Sequence, residues 1–239
     1  MVLTTQFDHK SSWDFENKEF WHQKGKRIAY TNLLCSIPCL LLAFSVWFIW
    51  SAVVTRLNSV GFSFTGAQLF TLAGVPGLSG ATLRILYSFV VPVFGGRNWT
   101  VFSTSLLILP SYFIGVAVQD TTTSYDYFLF LALLCGFGGG NFASSMSNIS
   151  FFFPKRLQGL ALGLNAGIGN LGVSILQFTI PLIITIPLFG NFGGPSQVLK
   201  NGTQIWIQNG SFIWIIPVLF FSILALFFMD NLHTAKAAI

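Results

Sequence analysis

The stretch LAGVPGLSGATLRILYSFVVPVF, residues Leu72–Phe94, decides the class of this chain. It is 23 residues long, apolar except for hydroxyl groups, and interrupted by one charge, Arg84. A helix needs roughly 17–25 apolar residues to cross the hydrocarbon core of a bilayer, so this stretch reads as a membrane span. A guanidinium halfway along such a span costs ~2.5–3.5 kcal/mol on insertion scales, and residues of this kind face a cavity or a partner.

Five further apolar stretches flank it. Together the six run at about 33–54, 72–94, 101–118, 127–153, 160–189 and 212–229. The alternation of barrel strands is absent, so helices are expected. Composition agrees: 53% of residues are hydrophobic and 8% charged, and the mean hydropathy is +0.71. Soluble domains carry roughly a quarter charged residues, so too few charges remain here to coat a globule. The expected fold class is an all-α membrane protein of six transmembrane helices, with a lipid bilayer as its solvent. The expected organisation is an N-terminal arm over residues 1–30, a helical domain over 31–230 and a tail over 231–239.

Basic residues orient the spans. The arm, the loop at Arg97, the loop at Lys155 and Arg156, and the tail hold nine Lys and Arg, among them Lys10, Lys18, Lys24, Lys26, Arg27 and Lys236. The opposite loops hold Arg56 and Lys200. The positive-inside bias therefore expects both termini in the cytoplasm. The formal charge of +5 follows this loop topology and forms no dense tract, so no nucleic-acid partner is expected.

Catalysis is not expected. No His, Asp or Glu lies within a span to act as acid or base, and no nucleotide-binding loop of the G-x-x-x-x-G-K-[ST] type occurs. Cys35, Cys39 and Cys135 fall within spans, while His9, His22 and His233 fall outside them, so neither metal nor other cofactor is expected. Trp13, Phe15, Phe20 and Trp21 stand among charges in the arm, which reads either as interfacial or as disordered. The segment from about Gly190 to Gly210 reads as an extracytoplasmic loop. Asn98, Asn148, Asn201 and Asn209 lie in N-x-S/T sequons.

Arg84 has no acidic partner at its own depth. Asp8, Asp14, Glu16, Glu19, Asp120, Asp126 and Asp230 all fall in arms, loops or the end of the last span. The guanidinium must then meet carbonyls, water, another chain or an anion. Its planar fork of N–H donors suits a small planar oxyanion. In the fourth span, Asn141, Ser144, Ser145 and Asn148 have offsets of 0, 3, 4 and 7, which places them on one inward face. In the fifth, Gly159, Gly163 and Gly167 recur every four residues and allow close helix approach, with Gly169 and Gly172 following. Asn170, Ser174 and Gln177 share another face of that helix.

Three stretches carry a resemblance. GATLRILYSFVVPVFGGRNWT (Gly80–Thr100), LLCGFGGGNFASSMSNISFFFPKR (Leu133–Arg156) and ALGLNAGIGNLGVS (Ala161–Ser174) resemble, in this order, the NarK-type nitrate/nitrite porters of the major facilitator superfamily. Members of that family have twelve spans in two pseudo-symmetric halves, and this chain resembles the N-terminal half. The resemblance implies nitrate and nitrite as partners, and a C-terminal six-span half from the same gene or a separate chain. It implies that Arg84 grips the anion, that Phe142 is an aromatic wall, and that GLNAGIGNLG, with Gly167 and Gly169, is the nitrate signature, Asn170 lying near substrate. Asn141 completes the expected substrate-binding set. The FGGRNWT loop resembles a degenerate form of the gating loop between spans two and three, lacking its usual aspartate. The implied activity is nitrate/nitrite exchange by alternating access in the plasma membrane, the inner membrane in a bacterium. A nitrate/proton symporter half, and a truncated or split remnant acting as a non-transporting membrane subunit, are the alternatives.

Overall fold

The computed structural model describes residues 13–232; Asp8, His9, Lys10, His233 and Lys236 lie outside them. Six helical spans emerge among the described residues, at Lys18–Val60, Gly66–Phe94, Gly96–Ala117, Tyr125–Phe152, Lys155–Ile183 and Asn209–Phe228. The first begins well before its apolar stretch. Asn17 caps α1 (Lys18–Phe20) by accepting from the amides of Glu19 and Phe20. The helix continues through a π-helical turn at Trp21–Gly25 into α2 (Lys26–Trp47) and, after a bend at Phe48, α3 (Ile49–Leu57).

The second span, α4 (Gly66–Phe94), opens on a capping box in which Thr65 and Gln68 satisfy each other's backbone donors. It closes at Gly95, whose φ of 83° suits a residue without a side chain. The third span is broken in two, α5 (Gly96–Ser105) and α6 (Ile108–Ala117). Then come α7 (Tyr125–Phe152), capped by Ser124, and α8 (Lys155–Ile183). The last span is a short α9 (Asn209–Phe212) followed by α10 (Ile215–Phe228).

Packing places α2 and α7 at the centre. The α4 helix lies along α7, and α2 is gripped between α7 and α8. In its most apolar window α7 is 61% buried, whereas α4 reaches 17% and α8 22%. These two helices therefore each present a long open face. The main core gathers Leu40, Phe44, Trp47 and Trp50 with Leu72, Phe128 and Leu131. Small residues bring the helices together. A Cβ on Gly172 would strike the Leu41 carbonyl oxygen, so α2 and α8 touch through backbone.

The arm is docked from Trp13 onward. Trp13 donates through Nε1 to the Phe151 carbonyl at 3.1 Å, and Trp21 is buried beside Phe153. Pro154 offers α8 no side-chain cap. Glu16 supplies one instead, its Oε1 accepting the Lys155 amide at 2.8 Å. A carboxylate there also meets the positive end of the helix dipole.

At the far end of α10, Asp230 and Asn32 pair reciprocally. Asn32 Nδ2 donates to Asp230 Oδ2 at 3.3 Å, and the Asp230 amide donates to Asn32 Oδ1 at 3.0 Å. Burial pushes the Asp230 carboxyl above its ordinary value, against the Asn32 hydrogen bond and the Arg97 charge that pull it down. A raised carboxyl binds its proton more tightly folded than unfolded. Its contribution is therefore fully present below the ordinary carboxylate pKa and lost as pH rises through the raised one. We expect Asp230→Asn to melt higher than the parent at neutral pH and to lose that advantage in acid. Melting curves from pH 4 to 7.5 check it, and a constant offset across the range would contradict the assignment.

The 190–210 segment is ordered. A turn of 3-10 helix at Gly190–Gly193 precedes a two-residue hairpin, β1 (Gln197–Val198) against β2 (Gln204–Ile205). Gln208 lies beneath it, donating to the Gly193 and Pro195 carbonyls and accepting from Gln197. Asn209 is buried and donates to the Ile183 and Ile186 carbonyls. Of the four sequon asparagines, Asn148 and Asn209 are thus buried, and Asn98 and Asn201 are exposed.

Candidate functional site

Arg84 lies midway along α4, half-buried where that helix meets α7 and α2. Its Nε donates to the Gly139 carbonyl at 3.1 Å. Its Cζ sits 4.9 Å from the Phe142 ring centre and 5.0 Å from that of Trp47. The cation thus meets one carbonyl and two aromatic faces, and among the described residues no carboxylate neutralises it. Each ring contributes about 0.5–2 kcal/mol to holding a guanidinium in a desolvated setting. With Nε engaged, the two Nη groups have no hydrogen-bond partner among the described residues and can donate as a pair to an oxyanion.

Local structure explains this arrangement. A Cβ on Gly139 would come within 2.7 Å of the Gly80 Cα, so α4 and α7 cross backbone against backbone. That close crossing brings the Gly139 carbonyl within reach of the Arg84 Nε. Phe142, one turn along α7, rises beside the guanidinium and meets Phe44 edge-on.

The structure brings Arg84 and Phe142 together and places the other expected residues elsewhere. Asn141 turns about 100° away from Phe142 on the helix. It lines a small polar cavity with Ser36, Cys39, Thr104 and Ser144, and its Oδ1 has no partner there. Gly169 packs on Leu40 of α2. Gly167 and Asn170 occupy the open face of α8. The space beside Gly167 is empty, and Asn170 folds back to donate to the Ala166 carbonyl at 2.7 Å. Ser145 links Ser36 and Asn165 at 2.8 Å each, the hydrogen-bonded glue expected of a polar group between helices. Trp47 was not singled out by sequence reasoning. It is one of the chain's seven tryptophans and lies in an apolar run, and its role becomes visible once Gly80 and Gly139 are seen against it.

Comparison with known proteins bears on the family of the chain. Over 203 residues the chain is 54% identical to the nitrate/nitrite transporter NarU of Escherichia coli K12, covering 82% of this chain and 44% of that protein. It is 51% identical over 238 residues to NarU of Salmonella typhimurium, covering 96% and 50%. The chain belongs to the nitrate/nitrite porter family. A probable nitrate/nitrite antiporter, NarK2 of Thermus thermophilus, is 46% identical over 202 residues, covering 83% of this chain and 45% of that protein. The chain spans about half the length of the curated relatives it matches. No family profile matches it. Its architecture is that of a multi-pass membrane protein, the six-helix half of a major facilitator fold.

Proposed function

We propose that this chain supplies the N-terminal half of a nitrate/nitrite carrier working by alternating access, with both termini in the cytoplasm of a plasma-membrane protein. The observation that carries the reading is the Arg84 guanidinium, held by a carbonyl and two rings with its Nη pair unengaged. Such a fork grips a planar oxyanion in two parallel hydrogen bonds.

A second half is implied by the open faces. Asn170, Ser174 and Gln177 are exposed on α8, beside Leu164, Ile168 and Leu171. Polar side chains at this depth turn to protein or to a water-filled cavity in preference to lipid. The matching half-domain would cover α4 and α8 and leave Arg84 and Asn170 at the seam, where an anion is held near the midplane while the halves rock. Gly167, with open space beside it, would let the anion approach the α8 backbone. Asn141 would act from behind the seam, through the cavity it lines.

Exchange of nitrate for nitrite is the favoured mode. The apolar core of this half carries no carboxylate or imidazole to relay a proton. The test is counterflow in proteoliposomes holding the chain joined to a C-terminal half. Internal nitrite is expected to accelerate labelled nitrate entry several-fold with no pH gradient. Uptake that follows a proton gradient and ignores internal nitrite would overturn exchange in favour of symport.

A further inference from the structure

We infer that Trp47 is a positioning residue that fixes the plane of the Arg84 guanidinium, and with it the direction in which the Nη pair meets an anion. The inference rests on the reading of Arg84 as an anion ligand. An ordinary core tryptophan is covered by neighbouring side chains. Phe44 and Phe48 pack on Trp47 from its own helix, but toward α4 and α7 it meets bare backbone: a Cβ on Gly80 would come within 2.7 Å of the indole Nε1, and one on Gly139 within 2.7 Å of its Cε2. The indole is also locked in rotation, because Nε1 donates to the Pro76 carbonyl at 2.6 Å. Pro76 belongs to α4, the helix that bears Arg84. One side chain of α2 is therefore tied to α4 and lies against the backbone of α7 while presenting its ring to the cation.

The geometry has a chemical consequence. An arginine side chain has many rotamers, and a free guanidinium can turn its fork toward any direction. Here the Gly139 carbonyl holds the Nε edge while Trp47 and Phe142 hold the plane. The anion then meets donors already aimed, so binding does not have to order them. Phe142 alone would leave the guanidinium with a single aromatic contact. Trp47 acts through Arg84 and is not required to touch the anion.

The experiment uses the full chain in lipid nanodiscs with inorganic nitrate as the probe. It compares the parent with Trp47→Phe, Trp47→Leu and Arg84→Lys. Two readouts are taken: nitrate affinity, and the NMR shifts of the Arg84 side-chain nitrogen and Cζ, which ring currents displace. Trp47→Phe keeps an aromatic face and is expected to bind within about threefold of the parent, whereas Trp47→Leu weakens nitrate about tenfold. The Arg84 resonances should move toward ordinary values in Trp47→Leu and stay displaced in Trp47→Phe. Should Trp47→Leu fail to fold, the same comparison is made with Trp47→Met. Unchanged Arg84 shifts and unchanged affinity in the leucine or methionine variant would overturn the positioning role. Equal nitrate binding by the parent and Arg84→Lys would instead sink the anion reading, and the NMR shifts would still judge the placement of the guanidinium.

Discussion

Arg84→Lys, introduced into the chain joined to its C-terminal half, should reduce nitrate uptake on the order of 100-fold while leaving membrane insertion intact. Lysine keeps the charge and its insertion cost, so topology is unaffected. It loses three things at once. The Nε tie to the Gly139 carbonyl disappears, the flat surface between Trp47 and Phe142 is replaced by a flexible stem, and the paired donors become a single ammonium. A hydrogen bond to a charged group contributes about 1.5–3 kcal/mol, so removing one of the pair and loosening the other accounts for roughly two orders of magnitude. Uptake with normal affinity in this variant would make the arginine a structural residue. Size-exclusion profiles of parent and variant separate that outcome from misfolding.

The second large effect is steric and does not depend on substrate. Gly80→Val should destabilise the bundle by about 3 kcal/mol, the upper end of the ordinary range for overpacking, because the obstacle is a ring locked by its hydrogen bond to the Pro76 carbonyl. A Cβ there meets the Trp47 indole at 2.7–2.9 Å, and Gly136 and Gly139 of α7 already lie against the Gly80 backbone. Relief requires α4 to move off α7, which would draw the Gly139 carbonyl away from Arg84. The companion variant Gly77→Ala, three residues earlier on the open side of α4, has nothing within 4 Å of the added methyl. It should melt at or slightly above the parent temperature, since alanine is the better helix former. Thermal melting in detergent distinguishes the two, and equal melting temperatures would contradict the close crossing of α4 and α7.

The spans were legible because each apolar run is long enough to cross a bilayer and every charge but Arg84 falls between the runs. Their ends were less so. The first helix begins at Lys18, within a charged segment whose hydropathy gives no hint of it, because Asn17 caps it and Trp21 is buried against the Phe153 ring. That contact is invisible locally, as is the cap that Glu16 places on α8 from 139 positions away. The break between α5 and α6 falls at Leu106–Leu107, just ahead of Pro110, which has no amide to donate to the Leu106 carbonyl; the apolar stretch at 101–118 reads as one span through it. The hairpin at 197–205 depends on Gln208, whose side chain fills a gap that appears once the loop has closed.

The candidate site was legible to an unequal degree. Arg84 stood out from the residues alone, as a charge with no acid at its depth. Phe142 was reachable through the family resemblance, since nothing about its neighbours distinguishes it from the other phenylalanines. The four-residue polar face Asn141, Ser144, Ser145 and Asn148 was read correctly as inward, and all four are buried. Helical spacing could not say which neighbour that face meets. It turns toward α2 and α5 and away from the Arg84 side chain. Trp47 needed the crossing of three helices to be known, because its partners are the absent side chains of Gly80 and Gly139.

The hairpin on the face opposite the arm has a practical value. Gln208 and Asn209 fasten it to the ends of α8 and α9, while Phe192, Val198 and Asn201 remain outside. The hairpin is exposed and fastened by side-chain hydrogen bonds, so an antibody fragment raised against residues 192–203 should sit at a fixed angle to the bundle. It would serve as a fiducial for electron microscopy and would report, by its tilt, any rocking of the six helices as a body.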